Sequence, residues 1–260
     1  MRPLSEAEAA TFRDVRFVLT DMDETLTFNG RLGARTYDAL ERLQAAGIVV
    51  IPVTAAPAGW CDQMARMWPV DGVIGENGGF FFRRAASGHG LERVFWHGAA
   101  GRAAVFAELS RIADGVSAET GAVFAEDQPF RLTSIAFSQP EDAAARAAIV
   151  SALGAAGADV TVNNLWVLGW RGGYDKLAMA KRVLQESYGV SPDAARAQVL
   201  YVGDSVNDAP MFGYFPHAVG VSTVTRYLDQ IPVAPAWIAR GPGGAGFVEA
   251  AEAVLRARGA

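Results

Sequence analysis

Cysteine is almost missing from this chain: Cys61 is the only one among 260 residues, so no intramolecular disulfide can form. It lies in WCDQMARMW, which reads as the inner face of a helix and suits a buried structural thiol. Histidine is nearly as scarce. His89, His97 and His217 are scattered without ligand spacing, which argues against a zinc site. Positive charge is in deficit, with a formal net charge of -5 and a pI near 5.3, so there is no basic footprint for nucleic acid. No apolar run reaches the roughly 18 to 20 residues of a membrane span. The start, MRPLSEAEAATFRDVRF, carries charges where a signal peptide would be apolar, so a cytoplasmic location is expected. No repeat of fixed period is found, and the alanine-rich windows read as helices. What remains is a chain that is 51% hydrophobic, long enough for one large domain or a domain with an insertion.

The first hundred residues alternate in kind. Strand-like RFVLT is followed by helical ARTYDALERLQAAG, closed by Gly47, then by strand-like IVVIPVT, helical PAGWCDQMARMW and the short strand GVIG. This β-α-β-α-β order predicts an α/β fold: a doubly wound parallel sheet covered by helices, with chemistry at the carboxyl ends of the strands. The pattern resumes with helical YDKLAMAKRVLQESYG, strand-like AQVLYVG, a short helix from Asp208 to Phe212, strand-like HAVGV and the helix GFVEAAEAVLRARG. The texture between differs: a hairpin of FFFRR and LERVFW across AASGHG, two helices, and strands FRLTSIAFS, DVTVNN and LWVLGW. Residues 85–170 are therefore expected to be an inserted α+β domain, with 1–84 and 171–260 forming the Rossmann-like core.

The stretch FVLTDMDETLTFNG ends an apolar run with Asp21 and Asp23, two positions apart and so expected on the same side of the strand's end. Like charges that close either share a proton or hold a cation between them. Thr54 after IVVIPV, Lys176 opening a helix, and Asp204 with Asp208 in YVGDSVNDAPMF also fall at strand ends or helix starts. Oxygen donors of this kind suit a hard cation such as Mg²⁺.

In this order, hhhhDxDxT, a Thr, a Lys and then GDxxND, the chain resembles the haloacid dehalogenase-like superfamily. The insertion before the Lys resembles its Cof-like, sucrose-phosphate phosphatase-like branch. The resemblance implies a phosphatase acting on a small phosphorylated metabolite such as a sugar phosphate. Asp21 would be the nucleophile that forms an aspartyl-phosphate, and Asp23 the general acid and base. Mg²⁺ would be held by Asp21, the backbone carbonyl of Asp23, and Asp204, with Asp208 supporting Lys176 and the metal's outer shell. Thr54 and Lys176 would hold phosphoryl oxygens, with Ser205, Asn207 and Asn77 as further polar neighbours. A phosphomutase using the same intermediate and a quiet phospho-ligand-binding protein are the alternatives.

Two departures stand out. Ala55 and Ala56 replace the usual Gly-Arg after the Thr, and restoring that pair is expected to improve binding. Glu24 stands where Gly is common, a change that is tolerable if the side chain points toward solvent. Of the remaining motifs, GENGG (residues 75–79) reads mainly as a turn, GPGGAG (241–246) as a plain connection, and Trp166 with Trp170 as core of the inserted domain.

Overall fold

The structure, a computed structural model, describes residues 1–87, 90–163 and 165–259. His89, and Asn164 of the NN turn, lie outside the described residues. In chain order the first elements are β1 Arg2–Pro3, β2 Phe17–Thr20, β3 Thr27–Phe28, β4 Arg31–Leu32, α1 Ala34–Ala45, β5 Val49–Pro52, α2 Ala58–Met67, β6 Val73–Gly75, β7 Phe80–Arg84, β8 Leu91–Phe95 and α3 Ala99–Thr120. There follow β9 Ser134–Ser138, α4 Ala143–Ala155, β10 Asp159–Val162, β11 Trp166–Trp170, α5 Lys176–Tyr188, α6 Pro192–Gln198, β12 Val199–Gly203, α7 Ala209–Tyr214, β13 His217–Gly220, β14 Trp237–Ile238 and α8 Gly243–Arg258.

Six strands pair in parallel in the order β1-β14-β13-β12-β2-β5, giving the expected α/β sheet. Alternate side chains of each strand serve opposite faces. Val18, Val50, Leu200 and Val202 pack with Leu40 of α1 and Ala250 of α8, whereas Leu19, Ile51 and Tyr201 pack with Met179 of α5 and Met211 of α7. Both faces are thus covered, which is why the strands read as nearly unbroken apolar runs. The chain leaves β2 toward β5 and later fills the other side through β12, so the winding reverses between β2 and β12. The two strands stay paired to their carboxyl ends, the Asp21 amide donating to the Val202 carbonyl at 2.9 Å, and the loops that leave them in opposite directions frame a crevice.

A second sheet, antiparallel in the order β10-β11-β9, is backed by α3 and α4 around Leu109, Ile149, Leu153, Phe137 and Val167. Its other face carries Ala136, Trp166, Leu168 and Trp170 toward Ala55 and Tyr174. The tryptophans are buried core, and Trp170 Nε1 donates to the Tyr174 carbonyl at 2.9 Å. The β7–β8 hairpin extends β6 instead, with Phe80 and Phe82 stacked at 4.1 Å in the same core as α1 and α2.

Short elements escaped the sequence reading. The edge pair of β1 and β14 and the hairpin of β3 and β4 are two residues per strand, too few for a period-two signal. GPGGAG is more than a connection. Gly243 opens α8 at φ +50°, and a Cβ there would lie 2.5 Å from the Thr27 carbonyl oxygen, so only glycine lets the helix approach the β3–β4 hairpin.

The two sheets are joined by a buried carboxylate that the sequence reading had in a turn. Glu76 Oε1 accepts from the Ala58 and Leu132 amides at 3.1 and 2.9 Å. Oε2 accepts from the amides and hydroxyls of Thr133 and Ser134 at 2.7 to 2.8 Å. These bonds hold Leu132 and Thr133 on the carboxylate ahead of the strand, and β9 begins at Ser134 and not at Phe130. Replacing Glu76 with Ala would leave several buried donors without an acceptor, at about 1 to 3 kcal/mol for each. Glu76→Ala is therefore expected to lower unfolding stability by at least about 3 kcal/mol in urea titrations; a change below 1 kcal/mol would show that solvent replaces the carboxylate without cost.

Candidate active site

Three segments converge on the crevice. The loop after β2 carries Asp21 and Asp23, the loop after β12 carries Asp204 through Asp208, and α5 brings Lys176 at its first residue. The placement of Lys176 is local in origin: Asp175 caps the helix, its Oδ1 accepting from the Ala178 amide at 2.6 Å, so the helix starts beneath the carboxylates. Lys176 Nζ donates to Asp21 Oδ1 and to Asp208 Oδ1, both at 2.8 Å, with all three side chains buried.

Asp208 is saturated. Its Oδ1 also accepts from the Tyr201 hydroxyl at 2.5 Å, and its Oδ2 from the Asp204 and Ser205 amides at 3.0 and 3.1 Å. Such a carboxylate fixes the loop and the ammonium. A side chain on Gly203 would strike it, since a Cβ would fall 2.6 Å from Asp208 Oδ2. Asp204 Oδ1 accepts only from the Thr25 hydroxyl, at 3.3 Å. Asp21 Oδ2 accepts no hydrogen bond among the described residues, and Asp21 lines a small cavity with Asp23, Ala55, Ser205 and Asn207.

Asp21, Asp204 and Asp208 each offer an oxygen within 4.8 Å of the others, and among the described residues no histidine joins such a group. Burial pushes Asp204 up to about 9, with Asp21 and Asp208 adding repulsion. Burial likewise lifts Asp21 to about 7, against the pull of Lys176, and Asp23 to about 6. Burial alone would lower the Lys176 pKa, but Asp208 and Asp21 together hold it above its ordinary value. Three carboxylates against one ammonium leave a deficit of positive charge, so the donor set fits a divalent, oxygen-seeking cation.

The remaining sequence candidates divide. Ser205 Oγ donates to Asn207 Oδ1 at 2.8 Å at the cavity wall. Thr54 is fully buried after β5, and its Oγ1 accepts from the Ala56 amide at 3.0 Å. Asn77 is buried behind it, its amide bonded to the Thr54 carbonyl and its Oδ1 without a partner. A larger cavity of about 240 Å³ opens on Asp23 and Asp204 and is lined by Thr223, Arg226, Tyr227 and Leu165, none of which sequence reasoning singled out. They come from the segment after β13 and from the edge of the second sheet, which no local pattern ties to the Asp pair.

No family model matches the sequence, and a search of curated proteins finds no match. Solved structures do match. A protein of Thermoplasma acidophilum superposes with a TM-score of 0.71 at 18% identity, over 92% of this chain and 99% of that one. A haloacid dehalogenase-like hydrolase from Bacteroides thetaiotaomicron gives 0.67 at 15% identity, over 93% and 99%. The fold is that of the haloacid dehalogenase-like hydrolases. A sucrose-phosphatase from Synechocystis, in complex with sucrose and phosphate, gives 0.62 at 18% identity, over 92% and 96%.

Within this haloacid dehalogenase-like fold the two departures have physical explanations. Glu24 sits at φ +57°, a left-handed conformation that glycine adopts without strain. It does not simply face solvent: it lines the larger cavity, and its Oε1 accepts from the Asn29 amide at 2.8 Å, which ties down the loop into β4. Ala56 is wholly buried, so an arginine introduced there would have to displace core, contrary to the expectation that restoring it helps binding. A guanidinium is nevertheless present beside this turn. Arg131, from the second unit, donates to the Ala55 carbonyl at 3.0 Å and pairs with Asp127 at 3.0 Å.

The raised carboxylates make a pH prediction. Their neutral forms favour the folded chain, so without a cation this contribution is complete below pH about 4 and is lost as pH rises through about 7 for Asp21 and about 9 for Asp204. Asp204→Asn keeps the uncharged shape at every pH. In chelator it is expected to raise Tm relative to wild type far more at pH 9 than at pH 5. An equal effect at both pH values would rule out buried charge as the cause.

Proposed function

We propose that this protein is a Mg²⁺-assisted phosphatase of a small phosphorylated metabolite, working through an aspartyl-phosphate on Asp21. The observation that carries this reading is the state of Asp21: Oδ1 is held by Lys176, and Oδ2 accepts no hydrogen bond among the described residues beside a cavity shared with Asp23. The sucrose-phosphatase and a trehalose-6-phosphate phosphatase related protein among the structural neighbours support phosphate esters as the substrate class. Residues 1–84 and 171–260 are taken as the catalytic core and 85–170 as the cap, with β8 keeping its place on the core side.

In this mechanism Asp21 Oδ2 attacks phosphorus and the bond to the leaving oxygen breaks, while the carboxylic acid of Asp23 gives that oxygen its proton. A pKa near 6 leaves part of Asp23 protonated at neutral pH, as a general acid requires. The resulting Asp23 carboxylate then takes a proton from water, whose oxygen attacks phosphorus and restores Asp21 with release of inorganic phosphate. Lys176 orients Asp21 and offsets charge on the phosphoryl oxygens, and Asp208 holds Lys176 in place. The Thr54 hydroxyl and the Ser205 and Asn207 side chains bound the phosphoryl site. Asp21, the Asp23 carbonyl and Asp204 would hold Mg²⁺, with Asp208 as their support. When bound, the ion supplies positive charge that lets an anionic nucleophile meet an anionic substrate.

Phosphate release from a panel of phosphorylated metabolites, sugar phosphates first, is expected to require Mg²⁺. Asp21→Asn should abolish it, and Asp23→Asn should slow it by roughly 10²- to 10⁴-fold. Full turnover by Asp21→Asn, or undiminished turnover in excess chelator, would overturn the assignment.

A further inference from the structure

A second cavity, of about 740 Å³, lies on the far side of the β3–β4 hairpin from the catalytic carboxylates. The amino ends of α1 and α8 both open into it, and these helices pack side by side. Neither has a side-chain cap or an acidic residue in its first turn. The first-turn amides of Ala34, Arg35, Gly243 and Gly244 have no acceptor among the described residues. Two positive helix ends brought together this way favour an anion.

The side chains reinforce that field where they would ordinarily oppose it. Arg35 stands in the first turn of α1, where a cation is unfavourable against the helix dipole. Arg31 lies just before it, and neither guanidinium has an acceptor among the described residues. An independent sign of a ligand is Thr36. The residue is 3% exposed and lines the cavity, its Oγ1 lies against Gly244 at the mouth of α8, and that oxygen has no hydrogen-bond partner among the described residues. The one acid at the cavity wall, Glu249, is already committed to the Arg240 and Gly241 amides at 3.2 and 2.8 Å. Leu26, Phe28 and Val248 complete the walls and leave room for more than the anion.

We propose that this cavity is a binding site for a phosphate group, held by the joined amino ends of α1 and α8 with Arg31, Arg35 and Thr36. The proposal is separate from the catalytic reading, because it uses none of the Asp21 constellation. One wall is shared: Gly30 of the hairpin borders the cavity at Asp23, while Phe28 and Arg31 border this one, so an occupant would brace the segment that follows the catalytic pair.

The test is a titration of the full chain, free of divalent cation, with inorganic phosphate, followed by backbone amide resonances. Saturable shifts are expected at Ala34, Arg35, Gly243 and Gly244. Arg31→Ala with Arg35→Ala should weaken binding at those amides by about tenfold, as loss of charge-assisted bonds implies. Thr36→Val, nearly equal in volume, should weaken it by a smaller factor, and both variants should leave resonances near Asp21 and Asp204 as in wild type. A second titration with a nucleoside monophosphate separates the sources: tighter binding than phosphate identifies a phosphate ester that uses the apolar walls, and equal binding identifies the ion itself. Shifts confined to residues near Asp21 and Asp204, no shifts at millimolar phosphate, or unaltered binding in folded Arg31→Ala with Arg35→Ala would overturn the proposal.

Discussion

A single ammonium group, Lys176 Nζ, lies between two buried carboxylates, and three distant stretches of chain are arranged around it. Removing such a group from water costs several kcal/mol, and attraction offsets that cost only where geometry is good and every remaining proton is placed. Two of the three ammonium protons are placed in this way, on Asp21 and on Asp208. Asp208 receives two amides and a phenol besides the lysine, and Asp21 keeps the end of β2 tied to β12 through its amide on the Val202 carbonyl at 2.9 Å. Glycine at 203 and an aspartate cap at 175 follow from this constraint, one by clearance and one by aim.

The same charges make the site incomplete by itself. Among the described residues Asp204 has one weak hydrogen bond and no cationic partner within ion-pair distance, and its neighbours repel it, so the pocket favours either a proton or a cation. A protein that wanted only stability would do better with apolar side chains of similar volume. Three buried carboxylates thus come at a cost to the fold, as is usual where side chains are placed for binding or chemistry and not for stability.

The junction between the two sheets is also polar. Glu76 and Arg131 reach across it in opposite directions, one from the core into residues 132–134 and the other back to Ala55. Ala55 lines the small cavity beside Asp21, so Arg131 is anchored one residue from Thr54. Small residues at 55 and 56 are what this packing permits: Ala56 has no room to grow, and the guanidinium is supplied from the other unit. A guanidinium from a distant part of the sequence thus lies beside this turn.

Much of this was legible in the sequence because it is local. The alternation of strand and helix, the carboxylates at strand ends and Lys176 at a helix start follow from periodicity and capping, which act within a few residues. Tertiary structure alone decided the rest. Nothing near Glu76 announces that a residue in a glycine-rich turn will bind amides 56 to 58 positions later, and nothing near Arg131 points to Ala55. The cavity of Thr223, Arg226 and Tyr227 and the shared mouth of α1 and α8 likewise join segments far apart in the chain. Hydrogen bonds and burial act through space, so sequence by itself determined which groups stand at the ends of which elements, and only packing decided which of those ends meet.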